Sequence, residues 1–257
     1  MTTLIDAPLR HLPAVGLDEL VERAGLLTRV DRKYVLPVTQ LGSLVDALPP
    51  GAQVLDIDGR REFAYRSTYF DTPDHQSFLA AGRSHRTRWK VRTRTYRDTG
   101  ASWLEVKTRT GRDRTLKQRI LHPDALDSLG VEGHRFVDSV VGAGLAPRLA
   151  PGLVTGYRRS TLFLPGSGSR ATIDVGLSWT LLHTGAELER PALAIVETKA
   201  GSTPSEVDRL LWSRGHRPVR LSKYGAGLAA LHPDLPRLKW HHTLHKHLAL
   251  PRTGDLS

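Results

Sequence analysis

The chain has no cysteine. Disulfides, thiolate metal sites and a cysteine nucleophile are therefore all excluded. No apolar run approaches 18 residues, so no membrane-spanning helix is expected. Met1 to Leu12 lacks a basic stretch followed by a long apolar core, so no secretory signal is expected and a cytoplasmic protein is the default. Aromatic residues are sparse, at 6%. Acidic residues are scarce in one place above all. Between positions 83 and 119 there are thirteen Lys and Arg but only Asp98, Glu105 and Asp113, a net charge of +10 in a chain whose total is +11.

The order of those residues is as informative as their number. Arg86, Arg88, Lys90, Arg92 and Arg94 occupy alternate positions, with Thr87, Trp89, Val91 and Thr93 between them. Successive side chains of a strand point to opposite faces, so one face is cationic and the other is built from β-formers. A second segment repeats the pattern, with Trp103, Glu105, Lys107 and Arg109 set against Leu104, Val106 and Thr108. A third places Lys117 and Arg119 against Leu116, Gln118 and Ile120. Like charges two residues apart on a strand lie roughly 7 Å from one another, within a Debye length of about 8 Å at physiological salt. Ordinary solvated surfaces intersperse both signs. A cationic surface shared by several strands suits a polyanion, and the excess of arginine favours oriented, bidentate contacts to phosphate oxygens.

At 257 residues the chain suffices for one large domain or two small ones, with 39% hydrophobic and 25% charged residues. The spacing predicts helices over 17–27, 39–48, 134–143, 204–214 and 226–232. Strands are predicted over 29–37, 63–71, 86–97, 101–110, 114–121, 154–164, 170–175, 177–183 and 192–199. Thr39 is placed as one helix cap. Thr203 is placed as another, with Pro204 at the first turn and Glu206 completing a capping box. Gly111 to Asp113 is read as a turn and Pro165 to Ser169 as a hairpin loop. Residues 1–27 form an arm and helix, 28–230 the main domain, and 231–257 a tail carrying His241, His242, His245 and His247. No internal repeat is visible. The fold class is α+β: an antiparallel eight-stranded sheet closed into a β-barrel, with peripheral helices covering its outside and the charged face turned inward.

Outside the basic window the charged positions fall into short motifs: Arg32-Lys33-Tyr34, Arg66 in YRSTYFD, Arg158-Arg159 in YRRSTLF, Arg170 and Asp174 in RATID, Glu197 and Lys199 in VETK, and Lys223 in SKYGAG. With WKVRTRTY, LEVKTR and LKQR, they resemble the VTC domain family, the polyphosphate polymerase domains of the triphosphate tunnel metalloenzyme superfamily. The resemblance spans roughly 28–230. It implies a tunnel barrel that binds ATP and polyphosphate or another triphosphate, transfers the γ-phosphate to a growing chain and uses a divalent metal, Mn2+ or Mg2+. Carried over by motif, the phosphate ligands are Lys33, Arg66, Arg92, Arg94, Lys107, Lys117, Arg159, Arg170, Lys199 and Lys223, with Lys90 and Arg119 as second choices. Glu197 is the implied metal ligand, with Glu105 beside it. The ExExK motif of the wider superfamily is missing from the first strand, where RVDRKY stands, which reduces the acidic metal ligands.

The residues support this chemistry without the resemblance. Phosphoryl transfer asks a protein mainly to position reactants and stabilise charge, and hard oxygen ligands suit magnesium or manganese. Glu105 and Glu197 each stand two positions before a lysine on the same strand face. Two other readings remain: a metal-dependent tripolyphosphate or nucleoside triphosphate hydrolase, and a non-catalytic polyphosphate-binding module. Trp89, Tyr96 and Trp103 interleave with the charges and could stack on bases. Embedded carboxylates nevertheless disfavour a nucleic-acid groove, which gains nothing from them. Tyr34, Tyr69 and Tyr224 are read as core or rim, and His85 and His122 as surface residues.

Overall fold

The computed structural model describes residues 6–24, 30–109, 115–123 and 126–248. In chain order they form α1 (Asp6–Leu9), β1 (Ala14–Val15), α2 (Leu17–Arg23), β2 (Val30–Pro37), α3 (Leu41–Asp46), β3 (Gln53–Leu55), β4 (Phe63–Asp71), α4 (Gln76–Gly82), β5 (Arg88–Tyr96), β6 (Ser102–Arg109), β7 (Thr115–Leu121), α5 (Gly130–Val141), β8 (Ala150–Leu164), β9 (Ser169–Leu181), β10 (Glu187–Arg190), β11 (Leu193–Ala200), α6 (Glu206–Ser213), α7 (Lys223–Leu231) and α8 (His241–Leu248). Two compact units result. One comprises residues 1–63, 157–177 and 190–220, the other 64–156, 178–189 and 221–257.

In the first unit the strands run in the order β2-β11-β9-β8, with β3 pairing antiparallel to β8 and parallel to the short β1. One face of β2, β11 and β9 carries Tyr34, Leu36, Val196, Ala194, Ala171 and Ile173. These pack against Leu41 and Leu44 of α3 and Val207 and Leu211 of α6 in one continuous core. The alternate residues of the same strands carry Lys33, Glu197, Lys199 and Asp174. Period-two patterning thus assigns apolar residues to the helices and charged ones to the opposite face.

The second unit contains the antiparallel meander β4-β5-β6-β7. Phe70, Val91, Leu104 and Val106 form its buried face, packed with Leu129 and with Val137 of α5. Two glycines of the SKYGAG stretch permit close packing at α7. A Cβ on Gly225 would lie 2.1 Å from the Trp240 ring, and one on Gly227 2.1 Å from the Trp179 ring.

The expected barrel closure is not found. The sheet has eleven strands where eight were expected, eight of them on its main path; among the described residues no hydrogen-bonded pairing closes it, and β2 and β7 are the ends of that path. At β2 a loop takes the place of a strand: the Val219 N–H donates to the Lys33 carbonyl at 2.7 Å.

Several local expectations are also corrected. The segments 170–175 and 177–183 form one strand, β9, with Gly176 at φ +59° inside it. Glycine tolerates that left-handed conformation, so the strand continues where two were expected. Thr39 lies in a 3-10 turn, Val38–Gln40, ahead of α3. The α6 cap is Ser205, whose capping box is completed by Asp208 rather than by Thr203 and Glu206. Helix α4 was not anticipated. His122 is buried rather than on the surface, its ring 2.8 Å from the Ser128 carbonyl. The histidine-rich segment forms α8, with Leu244 and Leu248 buried. Residues 25–27 of the first expected helix, the whole of the expected Gly111 to Asp113 turn and the ends of the chain lie outside the described residues. Among the described residues, no helix is long and apolar enough to cross a membrane.

Candidate functional site

In the first unit, strand register builds a charged cluster. Glu197 on β11 stands opposite Lys33 on β2, and Lys199 opposite Asp31 on β2 and Arg170 on β9. Glu197 Oε1 lies 2.7 Å from Lys199 Nζ and 3.2 Å from Lys33 Nζ. Burial opposes ionisation of Glu197, but Lys33, Lys199 and Arg159 outweigh it and hold the carboxyl well below the usual range. Burial also pushes Lys199 down to about 8, against the attraction of Glu197 and Asp31. Arg159 of β8 grips the fully buried Asp174 of β9 through both arms of its guanidinium, Nε to Oδ1 at 2.6 Å and Nη2 to Oδ2 at 2.8 Å. Burial disfavours the Arg159 charge, yet Asp174, Tyr157 and Glu197 raise its pKa well above the ordinary value.

This cluster rests on a support, centred on a buried carboxylate, that sequence reasoning missed. On the opposite face of β2 and β11, Asp208 of α6 accepts hydrogen bonds from Tyr34 Oη and Thr198 Oγ1, each at 2.6 Å, and from the Ser205 N–H at 2.8 Å. Trp212 Nε1 donates to Tyr34 Oη at 2.9 Å. Tyr34 and Thr198 adjoin Lys33, Glu197 and Lys199 in the chain, so these bonds tie α6 to the charge-bearing strands. The available signal was the Ser-x-x-Asp spacing of Ser205 and Asp208.

In the second unit the cations form rows across the sheet. Lys90, Lys107 and Lys117 stand directly opposite one another on β5, β6 and β7, and Arg92, Glu105 and Arg119 form the adjacent row. Arg92 Nε and Nη2 donate to Glu105 Oε2 at 2.8 and 2.6 Å, while Lys117 pairs with Glu105 Oε1. Glu105 is nearly fully buried, its side chain 3% exposed. Burial alone would raise its pKa, but Arg92, Arg94 and Lys117 drive it far below the usual carboxylate range. Burial together with Arg92 and Arg94 brings Lys117 down to about 8 despite Glu105. Arg92 Nη1 also donates to Tyr69 Oη at 3.0 Å. Lys90 reaches Ser222 Oγ, the α7 cap, at 3.0 Å and lies near the rings of Tyr69 and Tyr224.

The remaining expected residues divide. Arg94 joins the second cluster, 3.4 Å from Ser67 Oγ. Lys223 opens α7, and its carbonyl accepts from Trp179 Nε1 at 2.9 Å. Arg66 is not brought to the cationic face. It stands opposite Thr95, on the other side of β4, 3.4 Å from Asp127. Tyr34, Tyr69 and Tyr224 are all buried.

In both units antiparallel strands array lysines and arginines around buried, ionised carboxylates. A family model of the VTC domain matches residues 28–232, and the chain belongs to that family. No curated protein matches it by sequence. Among solved structures it is similar to HpAC1 from Hippeastrum, described as having a dominant triphosphatase activity (16% identity, 82% of this chain and 99% of that one, TM-score 0.46). It is also similar to the PH1012 protein from Pyrococcus horikoshii OT3 (14% identity, 73% and 88%, TM-score 0.38). Both are distant likenesses.

Proposed function

We propose that the protein is a polyphosphate polymerase that transfers the γ-phosphate of ATP to a growing polyphosphate chain and releases ADP. The observation that carries this reading is the lysine row of β5, β6 and β7 beside the ionised Glu105. Like charges placed directly opposite in a sheet cost roughly 0.2–1 kcal/mol per pair, and a polyphosphate guest converts that cost into binding. The VTC family membership agrees with it.

In this reading a terminal oxygen of the polyphosphate chain attacks the γ-phosphorus, the bond to the β–γ bridging oxygen breaks, and ADP leaves. In the second unit Arg92, Arg94, Lys107 and Lys117, and in the first, taken by itself, Lys33, Lys199, Arg159 and Arg170, are the cations that bind and orient phosphate oxygens and neutralise their charge in this reading. Lys90, Arg119 and Lys223 extend this set.

Among the described residues no three His, Asp or Glu side chains gather to hold a metal by themselves. Glu105 and Glu197 are nonetheless ionised carboxylates among phosphate-binding cations, and magnesium is commonly held by one or two carboxylates together with substrate phosphates. Each unit offers one such carboxylate, Glu197 in the first, the principal candidate ligand, and Glu105 in the second. A bound Mg2+ or Mn2+ would supply Lewis-acid neutralisation of phosphate oxygens.

Incubation with ATP and Mn2+ or Mg2+, followed by gel electrophoresis and phosphorus NMR, tests the proposal. Long polyphosphate with stoichiometric ADP is expected. Phosphate and ADP without polymer would replace it with a triphosphate hydrolase. Tight tripolyphosphate binding without turnover would replace it with a binding module.

A further inference from the structure

The cationic face of the second unit changes character along its length. Along β5 it carries Lys90, Arg92, Arg94 and then Tyr96, each pair advancing about 7 Å. Around its last two positions the neighbours are aromatic or apolar. Arg94 stands opposite Trp103, and Trp103 opposite Leu121, while Tyr96 stands opposite Tyr65. The Tyr65 and Tyr96 rings lie 5.0 Å apart at 56°. The Arg94 guanidinium sits 5.5 Å from the Tyr65 ring and that of Arg119 4.3 Å from the Trp103 ring.

These aromatics are not core residues. The core packs on the other face of the same strands, through Val91, Leu104 and Val106. Tyr65, Tyr96 and Trp103 are only partly buried, and Leu121 beside Trp103 is 62% exposed. A phosphate chain has no apolar surface to offer such a patch. A nucleoside triphosphate presents the same order as the strand: phosphates, then sugar, then a flat aromatic base.

We propose that Tyr65, Tyr96 and Trp103 form a subsite for the purine base of the nucleoside triphosphate, next to the arginine rows that take its phosphates. This rests on the triphosphate reading above and adds to it the part of the substrate that inorganic tripolyphosphate lacks. Partly exposed rings offer faces for stacking, and Arg119 and Arg94 hold two of them in place by cation–π contact.

Calorimetric titration with ATP and, separately, inorganic tripolyphosphate, with the same divalent metal, tests it. Trp103→Ala and Tyr96→Leu should each weaken ATP binding about tenfold and leave tripolyphosphate within about twofold. Lys117→Ala should weaken both. Equal losses for the two ligands, or no loss for ATP, would overturn the subsite while leaving the phosphate site standing. Failure of the wild-type chain to bind either ligand would overturn both. Saturation-transfer NMR on wild-type protein with ATP needs no variant: strong transfer to the adenine H2 and H8 protons supports the subsite, and its absence sinks it.

Discussion

The two charged clusters are built alike but balanced differently. In the first unit Lys33, Lys199, Arg159 and Arg170 face Asp31, Asp174 and Glu197, so four cations meet three carboxylates. In the second, Lys90, Arg92, Arg94, Lys107, Lys117 and Arg119 lie on the same strand face as Glu105. The first is nearly neutral before any ligand arrives, and its cations are held by fixed partners. Among its named side chains the second has six cations to one carboxylate. A nearly neutral cluster positions groups, whereas one rich in cations supplies affinity for an anion.

The sharpest way to break this contrast is to neutralise each carboxylate in turn. Glu197→Gln should lower ATP turnover about 100-fold or more while sparing much of the tripolyphosphate affinity. Unchanged turnover in a steady-state assay would remove Glu197 from the reaction. Glu105→Gln leaves Arg92, Arg94 and Lys117 without their shared counter-charge. Losing one partner of a buried ion pair should cost about 3 kcal/mol in urea unfolding, and added tripolyphosphate should restore more stability to this variant than to the wild type. Arg159→Lys keeps the charge but loses the two-armed grip on Asp174, for an expected cost of about 2 kcal/mol.

Lys107→Ala separates affinity from stability. Removing the middle lysine of the row should weaken tripolyphosphate binding several-fold in calorimetry and raise stability by up to about 1 kcal/mol, because two like-charge neighbours are relieved. The smallest expected effect is the pH dependence. Lys117 and Lys199 both titrate near 8 in the folded protein, so tripolyphosphate affinity should begin to fall as pH rises through 8. Between about 8 and the ordinary lysine value of 10.5 the unfolded chain binds more protons than the folded one, so these two groups make stability rise with pH and unfolding does not explain the lost affinity. At the acid end, Glu105 and Glu197 titrate below the ordinary 4.5. The stability they contribute is complete above that value and is lost as pH falls through their folded-state pKa values.

Much of the second cluster was legible because alternation is local. Arg92 and Lys90 had to share a face, and so did Glu105 and Lys107, once each segment was a strand. Arg66 shows the limit of motif transfer: its motif named it as a phosphate ligand, yet one position of register turns it toward Asp127. Asp208 was invisible for a different reason. Its partner Tyr34 comes from a strand 174 residues away, and the local Ser-x-x-Asp spacing marks a helix cap rather than a receiver of buried hydroxyls.

The amino-acid order by itself determined which side chains share a strand face, because a two-residue repeat follows from backbone geometry alone. Tertiary structure decided which cation answers which carboxylate. Glu105 pairs with Arg92 and Lys117 from neighbouring strands, and Asp174 with Arg159 of β8. Those choices depend on inter-strand register and on which strands become neighbours, and both are set by packing of the whole chain.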